Sequence, residues 1–172
     1  EVDMQELLDG IVEDARFEGA ARQVGIELTA AGLPAVRANP ALLHRAIENV
    51  VRNALHHSPP GGTVRVVGLA EGKRLRLCIT DQGPGVADDA LAKIFPPFYR
   101  GSGKTSGGGY GLGLAIAERV IAAVDGRIGA GWRRGCRRCA GRRLRDARGA
   151  CGRRARQSAA GLQQPARQSV CL

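Results

Sequence analysis

The chain has 172 residues, 44% apolar and 24% charged, which leaves room for one globular domain of ordinary size and excludes global disorder. Aromatic residues make up only 3% against 25 glycines, so glycine-dependent loops matter more here than the aromatic stacking platforms of an RNA-recognition module. The net charge of +10 is unevenly spread: residues 1–130 hold 14 Lys+Arg against 15 Asp+Glu, whereas residues 131–172 hold 12 Arg and one Asp. The basicity therefore belongs to the C-terminal segment, which also holds Cys136, Cys139, Cys151 and Cys171, leaving Cys78 alone in the first part. No apolar run approaches the roughly 18 residues of a membrane span. No signal-peptide pattern is visible and the chain starts without Met, so a piece of a longer protein is expected.

From about Val2 to Arg22, the residues Leu7, Leu8, Ile11, Val12, Ala15 and Phe17 recur at helical spacing among acids and predict an amphipathic helix. Ile26–Thr29 and Ala35–Ala38 read as two short strands parted by Gly32-Leu33-Pro34. Asn39-Pro40 is the strongest helix start in the chain, a side-chain acceptor for free amides followed by a proline whose missing N–H costs nothing. The apolar stripe of that helix is Leu42, Leu43, Ala46, Ile47, Val50, Val51, Ala54 and Leu55, and Ser58-Pro59-Pro60-Gly61-Gly62 ends it. Thr63–Leu69 and Arg74–Thr80 then predict a hairpin turning at Ala70-Glu71-Gly72-Lys73. From Asp81 to the glycines at 107–109 nothing is regular, as in a functional lid or a disordered loop. A helix resumes near Leu112 and runs to about Val124, and Arg127–Ala130 starts a further strand. This order predicts an α/β two-layer sandwich, a mixed, mostly antiparallel sheet with helices on one face.

Four stretches carry chemistry. In Asn49-Val50-Val51-Arg52-Asn53 the i,i+4 spacing stacks two carboxamides on one helix face, and a carboxamide oxygen is a neutral ligand for a hard cation such as Mg²⁺. Such pairs are also common on plain helix surfaces. Asp81-Gln82-Gly83-Pro84-Gly85 puts a carboxylate at a strand end, able to accept from an exocyclic amine, with glycines that let a flat ring approach; taken alone it also reads as a turn. Phe95-Pro96-Pro97-Phe98-Tyr99-Arg100 brackets a stiff proline pair with two rings, which are expected to pack and anchor the lid. Gly107–Leu114 opens a helix with glycines whose amides form a phosphate cradle. A Rossmann site would need a strand just before those glycines, and Gly101-Ser102-Gly103-Lys104-Thr105 lacks the first glycine and following helix of a P-loop.

In this order the four stretches resemble the N, G1, F and G2 boxes of the histidine-kinase ATP-binding domain, within the superfamily of gyrase, heat-shock chaperone, kinase and MutL ATPases. The resemblance spans residues 1–130 and is nearest to membrane sensor kinases of the envelope-stress type. It implies that Asn53 helps hold Mg²⁺ with Asn49 beside it near the phosphates, and that Asp81 reads the adenine amine while Gly83 and Gly85 admit the base. His56 falls where the family has a basic residue facing the phosphates, and His57 and Tyr99 belong to the cofactor-binding set. Arg100 and Lys104 would bring lid charge to the β- and γ-phosphates. Gly109, Gly111, Leu112 and Gly113 would supply the phosphate-facing backbone. Gln82 stands where Asn is more familiar. Where gyrase-like relatives carry a water-activating Glu, this helix has Asn49, which fits phosphoryl transfer better than hydrolysis; Glu48 is adjacent and able to orient a nucleophile.

The resemblance implies ATP and Mg²⁺ as cofactors and γ-phosphate transfer to a histidine in a separate dimerisation domain of the same kinase, with a response regulator downstream. The parent protein is expected to be membrane-anchored and homodimeric with this part in the cytoplasm, and no specific nucleic-acid partner is expected. His44, His56 and His57 lack the following acid and proline of the acceptor site, so the chain lacks its own phosphoacceptor. The other readings are an incompetent fragment that binds nucleotide or a partner, and an ATPase coupled to conformational change. After Ala130 the family continues with a turn and one final strand. Here residues 131–172 are rich in Arg, Gly, Ala and Cys and bury little apolar surface, so a disordered or frameshift-derived tail is expected, with the last strand missing or improvised.

Overall fold

The computed structural model describes residues 1–87, 90–99, 111–132 and 168–172. Helix α1 (Met4–Ala21) starts where Asp3 Oδ1 accepts from the N–H groups of Gln5 (2.8 Å) and Glu6 (3.1 Å). Strand β1 (Gly25–Thr29) follows, and helix α2 (Pro40–His57) begins as expected, with the Leu42 N–H donating to Asn39 Oδ1 at 3.2 Å and Pro40 in the first turn. Strands β2 (Thr63–Glu71) and β3 (Arg74–Thr80) form an antiparallel hairpin about Gly72-Lys73. Helix α3 (Gly113–Ala123) leads to β4 (Gly129–Trp132), and β5 (Gln168–Cys171) completes the sheet.

The five strands lie in the order β1-β2-β3-β5-β4, with β1 parallel to β2 and every other neighbour antiparallel. Strand alternation turns Ile26, Val64, Val66, Leu77, Ile79 and Val170 to one face, where they join Leu8, Ile11, Ile47, Val50, Leu55, Ala117 and Ile121 of the three helices in a single core. The mixed sandwich with helices on one face is thus the observed architecture. Among the described residues no helix is long and apolar enough to cross a membrane.

Several expectations need correcting. Ala35–Ala38 is not a strand; Val36 alone makes an isolated bridge to Val2, whose chain enters the cap of α1 at Asp3 one residue later and so offers no further partner. Phe17 is 86% exposed and Leu42 53%, so neither belongs to the helix stripe that packs. The strand after α3 runs to Trp132, past the expected boundary at Ala130. The largest correction concerns the far end. Gln168–Cys171 forms a strand between β3 and β4 with Val170 buried in the core, so these four residues of the expected tail are ordered and the last strand is improvised rather than missing. The remainder of the segment, residues 133–167, lies outside the described residues.

Candidate functional site

The site is assembled around α2. Its burial stripe (Leu43, Ala46, Ile47, Val50, Val51, Ala54, Leu55) fixes the helix against the sheet, which leaves Asn49, Asn53, His56 and His57 half-buried at its margin. Asn49 Nδ2 is buried without a hydrogen-bond partner among the described residues, a costly state unless a ligand supplies an acceptor. The start of α3 stands directly beside it: a Cβ added to Gly113 would lie 3.5 Å from Asn49 Cβ and 3.6 Å from its Oδ1. The N and G2 stretches, far apart in sequence, therefore meet side by side.

The G1 stretch meets the C-terminal end of α2. Asp81, at the end of β3, is 4% exposed, and its Oδ1 accepts from the Gly83 N–H at 2.8 Å. Gly83 lies so close to α2 that a Cβ there would fall 2.6 Å from the His57 carbonyl oxygen and 3.0 Å from Asp81 Oδ1, a space no side chain can enter. Burial pushes the Asp81 carboxyl up to about 6, against the opposing pull of the Gly83 N–H. His57 is held below its usual range, first by burial and then by the neighbouring His56, whose ring meets it edge-on at 5.3 Å. Gly85 follows with φ +78.

The third element is the join between residues 98–99 and 111. The Phe98 N–H donates to the Gly111 carbonyl oxygen at 3.0 Å, and Gly111 has φ +67 with the Tyr99 carbonyl only 2.7 Å from where its Cβ would stand. That pinch brings Tyr99 and Leu112 to the start of α3, whose first turn has no side-chain cap. The F-box expectation is half right: Phe95 is half-buried, but Phe98 is 74% exposed with φ 66, so the second ring does not anchor. Its left-handed backbone serves the Gly111 pinch and turns the ring outward. Arg100, Lys104 and Gly109 lie outside the described residues.

A cleft of about 870 Å³ opens between the start of α1 and α2, lined by Asp3, Glu6, His44, Glu48, Asn49 and Arg52 among others. Asp81 and Gly83 do not line it, and Asn49 and Arg52, both of the first stretch, are the residues it shares with the four. Glu48 faces Arg52 at 3.8 Å, and Arg52 also pairs with Glu18 at 3.0 Å. Among the described residues no group of three His, Cys, Asp or Glu side chains is placed to hold a metal. The orphaned Asn49 Nδ2 is a donor that suits a phosphate oxygen, while the carboxamide oxygens of Asn49 and Asn53 are neutral ligands for a hard cation that keeps water and phosphate oxygens as its other ligands, so the residues present fit Mg²⁺ bound together with phosphate.

One positioning contact escapes sequence reasoning. The Thr63 N–H donates to Gln82 Oε1 at 3.3 Å, which ties the G1 turn to the first residue of β2. The longer amide at the usual Asn position was the available signal.

A family model for histidine kinase-, DNA gyrase B- and HSP90-like ATPases matches residues 38–151. The chain belongs to that family. Its relatives are sensor kinases: PfeS of Pseudomonas aeruginosa is 50% identical over 86 residues, covering 50% of this chain and 19% of PfeS. BaeS of Escherichia coli K12 is 40% identical over 88 residues, 50% of this chain and 19% of BaeS. Among solved structures, the mycobacterial sensor histidine kinase MprB superposes with a TM-score of 0.72 at 28% identity, covering 99% of this chain and 95% of that one. The chain thus spans about a fifth of the length of these two sensor kinases, and it has the fold of the histidine-kinase ATP-binding domain.

Proposed function

We propose that this domain binds ATP with Mg²⁺ and donates the γ-phosphate to a histidine on a separate dimerisation domain of the same sensor kinase, from which a response regulator takes it. The observation that carries the reading is the convergence on α2 of the Asp81–Gly83 turn at its C-terminal end and of Gly113 against Asn49 near its middle. In this reading Asp81 accepts from the adenine amine, while Gly83, packed against the His57 carbonyl, and Gly85 admit the ring. His57 closes the base side, and His56 faces the phosphates. The uncapped N–H groups of α3, with Gly111, Leu112 and Gly113, receive phosphate oxygens, as helix N-termini do. Asn53, with Asn49 beside it, would hold Mg²⁺, which would supply positive charge against the phosphates.

Phosphoryl transfer depends mainly on positioning and charge stabilisation, and Arg100, Lys104 and Gly109 complete the phosphate side in this reading. Asn49 offers no base for water, so transfer to an external nucleophile is favoured, with Glu48 orienting that nucleophile from the α1–α2 cleft. The parent protein is read as a membrane-anchored homodimer with this domain on the cytoplasmic side, and nucleic acid has no part in the function.

Calorimetry of ATP with and without Mg²⁺, followed by addition of the acceptor domain, tests this. Saturable binding that Asp81→Ala weakens by at least about tenfold, and phosphohistidine on the acceptor, are the expected results. Binding without phosphohistidine would leave a nucleotide-binding fragment, steady phosphate release without acceptor would indicate a coupled ATPase, and no binding would overturn the reading altogether.

A further inference from the structure

We infer that Cys78 of β3 and Cys171 of β5 are a disulfide-forming pair, an oxidant-sensitive staple that fastens the remote strand into the sheet. The ladder itself places them. Leu77 and Leu172 exchange both backbone hydrogen bonds (3.1 and 2.8 Å), so the adjacent pair, Cys78 opposite Cys171, is of the non-hydrogen-bonded kind in which facing side chains stand closest. The two Sγ atoms are 2.9 Å apart. Such directly opposed positions fall within the Cα separation that a disulfide requires, so closing the bond asks for no shift of register.

The surroundings admit an oxidant. Leu77 and Ile79 point into the core, so Cys78 lies on the opposite face of the sheet, away from the helices, and both cysteines are half-buried. On the other flank, Cys171 faces Gly129 of β4, which is exposed and whose missing side chain leaves open space. The oxidant the pair requires is a small disulfide such as oxidised glutathione. The thiolate of one cysteine attacks a sulfur of that disulfide and releases one small thiol; the second thiolate then attacks the protein-side sulfur of the mixed disulfide and displaces the other. Two protein thiols are oxidised, the two protons they give up pass to the two departing small thiolates, and one small disulfide is thereby reduced to two thiols.

The bond would matter because of where β5 sits. Among the described residues β4 pairs with β5 alone, and β5 joins β3 through Cys78–Thr80, the three residues that lead into Asp81. The redox state of one cysteine pair thus sets how firmly the far edge of the sheet is held, and the staple closes a loop of sequence separation 93.

The full chain is treated with oxidised glutathione, digested without reduction and mapped by mass spectrometry. A Cys78–Cys171 cross-link as the main product is expected, with a rise in Tm on the order of 5–10 °C that dithiothreitol reverses. Cys171→Ser should abolish that rise. A second variant, Cys136→Ser/Cys139→Ser/Cys151→Ser, should retain both the cross-link and the rise. Cys78 that stays open to alkylation after oxidation, that links to Cys136, Cys139 or Cys151 as readily as to Cys171, or that cross-links with no change in Tm would overturn the inference. The mapping on the unaltered chain is decisive by itself should Cys171→Ser fold poorly.

Discussion

The two ends of the sheet are built from different kinds of chain. At one end, β1, β2 and β3 come from a continuous stretch, alternate apolar and polar residues regularly, and sit on α1 and α2 through Ile26, Val64, Val66, Leu77 and Ile79. At the other end, β4 carries the sequence Gly129-Ala130-Gly131-Trp132, packs Ala130 against the core and, among the described residues, pairs with β5 alone, which arrives from beyond residues 133–167 and buries one residue, Val170, in the core. The contrast shows that a strand's place can be set by the edge left open for it. β3 presents a row of backbone donors and acceptors that must be paired or exposed, and four residues with one well-placed valine suffice to take them.

Breaking the weaker end should have the largest effect. Val170→Asp would bury an unpartnered charge and cost about 3 kcal/mol or more. Hydrogen exchange should then show protection lost in β4 and β5 while the β2–β3 ladder keeps its own; a uniform loss would mean that the two ends unfold as one unit. Leu55→Ala, at a fully buried position under the stronger end, should cost about 3 kcal/mol and lower a single thermal transition, with both ends lost together.

The Asp81 turn lies where the two ends meet, and its carboxyl responds to pH. Its folded pKa, about 6, exceeds its unfolded value of 3.8, so the folded state binds the proton more tightly across that window. Stability therefore falls as pH rises from about 4 to 6 and stays lower above it, because the ionised form is penalised by burial. Asp81→Asn removes that penalty and should raise stability at pH 7 by on the order of 2 kcal/mol while weakening ATP binding, with a flat profile through the same window. Thermal unfolding between pH 4.5 and 7.5 checks it; a native profile parallel to that of the variant would count against the assignment. The smallest effect belongs to Asn39→Ala, which removes the α2 cap and should cost about 1 kcal/mol, read as a small drop in Tm with cooperativity unchanged.

What could be read beforehand follows from how much local information each element holds. Helix α2 was legible from both ends because Asn39-Pro40 starts it, a proline-glycine run stops it, and seven of its apolar positions repeat at helical spacing. Asp81, Gly83, Asn49 and Gly113 stood out in the sequence as candidates, and the structure brings all four to α2, through the Asp81–Gly83 turn and through Gly113 against Asn49. Strand β5 was not legible, because Gln168-Ser169-Val170-Cys171 has neither length nor alternation and owes its conformation to β3 and β4. Phe98 was misread for a related reason. An aromatic ring next to prolines looks like an anchor, but the backbone there answers to the Gly111 pinch, a contact that no spacing reveals. The Ala35–Ala38 reading failed because a short β-like run needs an available edge as well as the right residues.

The interval between β4 and β5 also sets a timetable for the growing polypeptide. Synthesis of residues 133–167, at about 5–20 residues per second, lasts roughly two to seven seconds, during which β3 has emerged but its final neighbour does not yet exist. A nascent chain therefore offers chaperones, or another nascent copy, an open edge for far longer than the microseconds a local hairpin needs to close.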